Sequence, residues 1–102
     1  MGDLERDFIE FRDSGSTPAM ARVFDRAAPE LLLVAGHLSR EAGAAEDLVQ
    51  GTLLAAIEQR AQFDPARRLM PWLLGILVNL NRSDRRRPRT LSVPATWPAK
   101  EV

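Results

Sequence analysis

Residues 69–89, LMPWLLGILVNLNRSDRRRPR, decide the fold, because an apolar pattern of helical period runs into five arginines within eight residues. Leu69, Trp72, Leu73, Ile76, Leu77 and Leu80 recur at spacings of three and four, which puts them on one stripe of an α-helix. Pro71 falls in the first turn, where its missing N–H costs nothing, and Pro88 ends the pattern. Downstream of the stripe, Asn79, Arg82 and Arg86 lie close to one face, with Arg85 and Arg89 beside them. The sequence therefore predicts a helix whose first half docks into a bundle and whose second half projects a cationic ridge. Arginines at a helix C-terminus complement the helix dipole, but five exceed what that role requires.

The rest of the chain gives this ridge its context. Its 102 residues, 45% hydrophobic and 27% charged, form one domain able to bury a modest core. The formal charge is zero, yet residues 1–63 hold six arginines against eleven carboxylates, and residues 64–99 hold seven arginines against Asp64 and Asp84. An acidic end and a basic end suggest two different partners, one of them a polyanion. No apolar run approaches the roughly 20 residues of a membrane span, the N-terminus is acidic where a signal peptide is basic, and cysteine is absent. These features fit a cytoplasmic location.

Upstream, the pattern is helical throughout. Leu4, Phe8 and Phe11 predict a short first helix over residues 3–12, broken by Asp13-Ser-Gly-Ser. Ser16-Thr-Pro18 is a start signal, a hydroxyl cap with proline in the first turn. From it Met20, Val23, Phe24, Ala27, Leu31, Val34, Ala35 and Leu38 carry a long amphipathic helix to about Ser39, with a kink or a break expected at Pro29. Gly43 precedes a third helix, with Glu46 and Asp47 in its first turn and a core stripe of Leu48, Val49, Thr52, Leu53, Ala56 and Ile57, ending near Gln62. Away from that stripe, Asp47, Gln50, Leu54 and Glu58 share one face, a polar surface with a single apolar anchor. On the residues alone this is also what an ordinary solvated face looks like. Residues 61–69, AQFDPARRL, read as a loop turned at Asp64-Pro65.

Catalytic chemistry finds no foothold. His37 is the single histidine, and no second histidine or cysteine joins it in a metal site. There is no Gly-rich phosphate loop, no GxSxG and no HExxH, and the Glu46-Asp47 pair is explained by the helix dipole. The chain is expected not to be an enzyme and to need no cofactor or metal.

Four segments in this order resemble region 2 of the extracytoplasmic-function (ECF) sigma factors, the small alternative initiation subunits of bacterial RNA polymerase. They are FDRAAPELLLVAGHL (residues 24–38), AEDLVQGTLLAA (45–56), FDPARRLMPWLLGI (63–76) and NLNRSDRRRPR (79–89). The resemblance implies an all-α, compact bundle of three to four helices, and a transcription initiation domain that binds the β′ clamp helices and recognises and melts the minus-ten element. It implies clamp contacts at Glu46, Asp47, Gln50 and Leu54. Phe63, Asp64, Arg67 and Arg68 become residues of a pocket for a flipped base, and Asn79, Arg82, Arg85, Arg86 and Arg87 contacts to the non-template strand. The implied partners are the polymerase core and promoter DNA, with an anti-sigma factor as a possible third. The chemistry suits these roles: an amide pairs with base edges, arginines hold phosphates, and an apolar loop receives an unstacked base.

The chain also departs from the family pattern. Gly51 stands where glutamate is common after the glutamine, and Leu69-Met70 where phenylalanine and arginine are common before Pro71-Trp72-Leu73. The expected organisation is a short N-terminal helix at 1–15, the region 2-like domain at 16–90, and a linker or tail at 91–102 leading toward a helix-turn-helix domain that the 102 residues lack, as in one domain of a longer protein or a truncated relative. Two rival readings stand beside this one. One is a sigma-like interaction module bound by an anti-sigma factor, without promoter melting; the other is a basic helix that binds nucleic acid nonspecifically.

Overall fold

The computed structural model describes residues 2–41 and 43–86, the last three of these by their backbone alone. Four helices follow one another: α1 (Asp3–Ser14), α2 (Thr17–Leu38), α3 (Ala44–Glu58) and α4 (Leu69–Arg86), with a single 3-10 turn (Arg60–Gln62) between α3 and α4. There is no strand among the described residues. The expected all-α bundle is what forms.

Each boundary has a local cause. Gly15, at a left-handed φ of 74°, closes α1 and lets the chain reverse into α2 within two residues. Ser16 then caps α2, its hydroxyl accepting from the Ala19 amide at 3.2 Å, with Pro18 in the first turn as the sequence predicts. The first helix runs two residues beyond the expected Arg12, and Ser14 satisfies the Glu10 carbonyl with its own hydroxyl at 2.7 Å. The third helix stops at Glu58 and tightens into the 3-10 turn, so what the periodicity joins into one helix ending near Gln62 is two elements.

Pro29 breaks nothing: α2 is one element of 22 residues. Pro29 is exposed, and so is Asp25, whose carbonyl would have accepted the missing N–H. The lost hydrogen bond thus falls on the solvent side of the helix, where an unpaired carbonyl costs least.

The core is one cluster fed by all four helices. Phe8 from α1, Met20, Val23, Ala27, Leu31 and Ala35 from α2, Val49, Leu53 and Ala56 from α3, and Leu69, Leu73, Ile76 and Leu77 from α4 are buried together with Phe63 of the loop. The predicted stripes are right in phase, with Leu48, Ile57, Trp72 and Leu80 at the cluster's margin and Leu38 left exposed. Buried Thr52 donates its hydroxyl to the Leu48 carbonyl at 2.8 Å, which removes the cost of an unpaired polar group. Helix α1 is an integral layer of this core. Arg22 on α2 reaches Asp7 at 3.1 Å and Glu10 at 3.7 Å, and Arg26 reaches Asp3 at 3.3 Å, so ion pairs rim the apolar α1–α2 contact.

Candidate functional site

The loop between α3 and α4 is built by Asp64. Its carboxylate accepts from the Ala66 amide at 2.9 Å and its carbonyl from the Arg67 amide at 2.9 Å, with Pro65 supplying the fixed φ of the second turn position. The same carboxylate lies 3.6 Å from the Arg67 guanidinium. One exposed aspartate therefore sets the turn and holds an arginine beside it.

Phe63 anchors the loop from below. It is only 2% exposed, and its ring lies 5.5 Å from Phe8, edge-on at 88°, and 5.3 Å from Trp72. Phe8 completes the triangle with Trp72 at 5.6 Å. Such tilted and edge-to-face pairs are the geometry that aromatic quadrupoles favour.

Over this aromatic base lies an open-sided cavity of about 650 Å³. Phe63 and half-buried Trp72 wall it, and Asp64, Arg67 and Arg68 line it with Gln62, Ala66 and Pro71. All four loop residues singled out in the sequence meet in this one cavity. Arg67 and Arg68 are exposed, so their cationic ends are open to a ligand, while Phe63 offers only a wall. Trp72 is the wall the periodicity hides: its place on the core stripe is real, but at the head of α4 the stripe also borders the loop.

The face of α3 is equally clear. Glu46, Asp47, Gln50 and Glu58 are exposed, and Leu54 is 38% exposed among them. Gly51 points elsewhere, into the seam with α4, where a Cβ would lie 3.4 Å from Leu80 Cδ1. The acidic and amide groups thus form one polar surface around a single accessible leucine.

On α4, Asn79 and Arg82 are exposed, with Val78 beside them 39% exposed. Burial reaches Asn81, one residue beyond Leu80, the last of the apolar stripe. Arg85 and Arg86 belong to the last turn of the helix, and Arg87 lies outside the described residues, as does the expected tail at 91–102. His37 is exposed and donates from Nδ1 to the Leu33 carbonyl at 3.1 Å. Among the described residues there is no acidic, histidine or cysteine group that could hold a metal ion, and no helix long and apolar enough to cross a membrane.

Comparison with known proteins finds similarity over most of the chain. Residues 23–90 match the sigma-70 region 2 family. The chain is 35% identical over 86 residues to RNA polymerase sigma factor CarQ of Myxococcus xanthus, covering 84% of this chain and 49% of CarQ. It is 48% identical over 63 residues to ECF RNA polymerase sigma factor EcfG of Rhodopseudomonas palustris (strain TIE-1), covering 62% of this chain and 35% of EcfG. The chain thus spans about half the length of CarQ and about a third of EcfG. No solved structure gives a significant match.

Proposed function

The chain belongs to the sigma-70 region 2 family, and from that premise we propose that it is a transcription initiation domain that joins RNA polymerase to promoter DNA without catalysis of its own. In this reading α3 docks on the clamp helices of the β′ subunit. Exposed Asp47, Gln50 and Glu46 pair with basic and polar groups of the partner helices, and Leu54 enters an apolar pocket between them. The loop cavity takes one unstacked base of the non-template strand at the minus-ten element. Asn79 and Arg82, with Arg85, Arg86 and Arg87, follow the adjoining backbone and base edges.

One observation carries the proposal: Phe63, Asp64, Arg67 and Arg68 converge with Trp72 on a cavity that has aromatic walls and a cationic rim. That combination suits a base attached to phosphates. Stacking or apolar contact on an aromatic wall is worth roughly 1–3 kcal/mol per base, which repays most of the few kcal/mol needed to unstack it. The remaining work of opening the duplex falls to the polymerase.

The test is binding of homopolymeric deoxyadenosine, deoxycytidine and thymidine single strands, an abasic strand of equal length, and duplex, over a series of salt concentrations. Preference for at least one base-bearing single strand over both abasic strand and duplex is expected. Equal affinity for all of them, with a steep salt slope, would replace the proposal with nonspecific binding by a basic helix. Retained base preference without any clamp binding would leave a nucleic-acid module. Clamp binding without base preference would favour an interaction module that an anti-sigma factor binds.

A further inference from the structure

Helix α1 precedes the residues that match the family, yet it holds the loop cavity at three points. Glu5 is 6% exposed, and its Oε2 accepts the Leu69 amide at 2.6 Å, across 64 residues of sequence. Leu69 opens α4, and Arg68 before it carries no acceptor, so the cap that α4 lacks locally comes from α1. Arg12 donates from Nη1 to the Phe63 carbonyl at 3.3 Å, across 51 residues, while its Nε is held by Asp13 at 3.0 Å. Between these two bonds Phe8 lies under both Phe63 and Trp72. The carbonyl at one end of the loop and the amide at the other are thus both fixed from the same helix.

From this geometry we infer that Glu5 and Arg12 are positioning residues for the loop cavity, setting the span between Phe63 and Leu69 and with it the spacing of the Trp72 wall from Arg67 and Arg68. Helix α1 is itself anchored, because Arg22 and Arg26 tie it to α2 through Asp7, Glu10 and Asp3. The loop's own bonds, Ala66 and Arg67 to Asp64 and Phe63 to Arg60, are all local, and they fix its turn without fixing its distance from α4. A change at either α1 contact therefore changes how a base fits, without removing any group that touches it. The inference rests on the proposed capture of a base in this cavity, and its test separates the two.

Arg12→Ala, Arg12→Lys, Glu5→Ala and Glu5→Gln are compared with the unsubstituted chain, after thermal melts select conditions in which each is folded. The readouts are affinity for the best-bound homopolymeric single strand and for the abasic strand, and hydrogen–deuterium exchange of the loop amides. Arg12→Ala and Glu5→Ala are expected to weaken the base-bearing strand about tenfold, the scale of one missing charge-assisted hydrogen bond, and to leave the abasic strand within about twofold. Arg12→Lys and Glu5→Gln, which keep a donor and an acceptor, are expected to recover most of the affinity. In both alanine variants the amides of residues 64–69 exchange faster while those of α3 do not. An unchanged ratio of the two affinities with unchanged loop exchange overturns the inference, as does an equal loss for both strands. If the unsubstituted chain fails to distinguish the strands, the base-capture reading falls, and exchange alone decides whether α1 sets the loop.

Discussion

Gly51 on α3 faces Leu80 on α4 with room for one carbon between them: a Cβ would make an ordinary contact at 3.4 Å. Glycine inside a helix costs about 1 kcal/mol relative to alanine, and nothing in this seam requires the vacancy. Gly51→Ala is therefore expected to stabilise the fold by about 1 kcal/mol, raising the melting temperature by roughly 4–8 °C for a domain of this size. Calorimetry decides the point. An unchanged or lower midpoint would mean that the seam cannot accept the methyl group.

Pro29 offers a second stabilising change, on the outer face of α2. Its ring is exposed on an otherwise regular helix, so Pro29→Ala restores a backbone hydrogen bond without touching the core. The expected gain is about 1–3 kcal/mol, part of the full proline penalty, because the residue whose carbonyl is freed is exposed to solvent. In urea titration the midpoint should rise with the slope unchanged. A fall in stability would show that this face of the helix depends on the proline.

The polar face of α3 is tested without disturbing the bundle, since its members are exposed. Asp47→Ala with Gln50→Ala is expected to weaken binding to isolated β′ clamp helices by about tenfold or more, and Leu54→Ala alone by a similar factor. Circular dichroism should record no loss of helix. Tight binding by the double variant would remove α3 from the clamp contact.

The loop residues divide by burial into two kinds of experiment. Arg67→Ala and Arg68→Ala alter exposed groups and are expected to leave the melting temperature within a degree or two and to weaken single-strand binding. The salt slope should fall by about 0.7 for each phosphate that is no longer neutralised. Phe63→Ala removes a ring from the core and is expected to cost about 3–5 kcal/mol of stability. Its effect on binding is therefore read only beside a melt. A tolerated Phe63→Ala would mean that Phe8 and Trp72 close the gap.

The phase of every helix is legible in the sequence because burial follows a period of three to four, and Ser16-Thr-Pro18 marks a start that the hydroxyl of Ser16 serves. Asp64-Pro65 is legible as a turn because the aspartate bonds its own backbone. Less legible are features that depend on where distant segments meet. Pro29 does not break α2 into two helices, because one sequence does not say on which face the lost hydrogen bond will fall. Trp72 reads as core because the stripe cannot show that its upper end borders a cavity. Glu5 and Arg12 look like ordinary surface charges of a short helix. Their partners are a backbone amide and a carbonyl, which have no signature in the sequence at all.

That bond between Glu5 and Leu69 also bears on the order of events as the chain is made. Helices α1 and α2 are neighbours in sequence, joined through Gly15, and can pair early at little loop-closure cost. The loop cavity cannot close until Leu69 arrives to find the carboxylate waiting on a helix made 64 residues before. During synthesis the cavity thus takes shape only once α4 has begun, against a helix that was in place before any other part of the bundle.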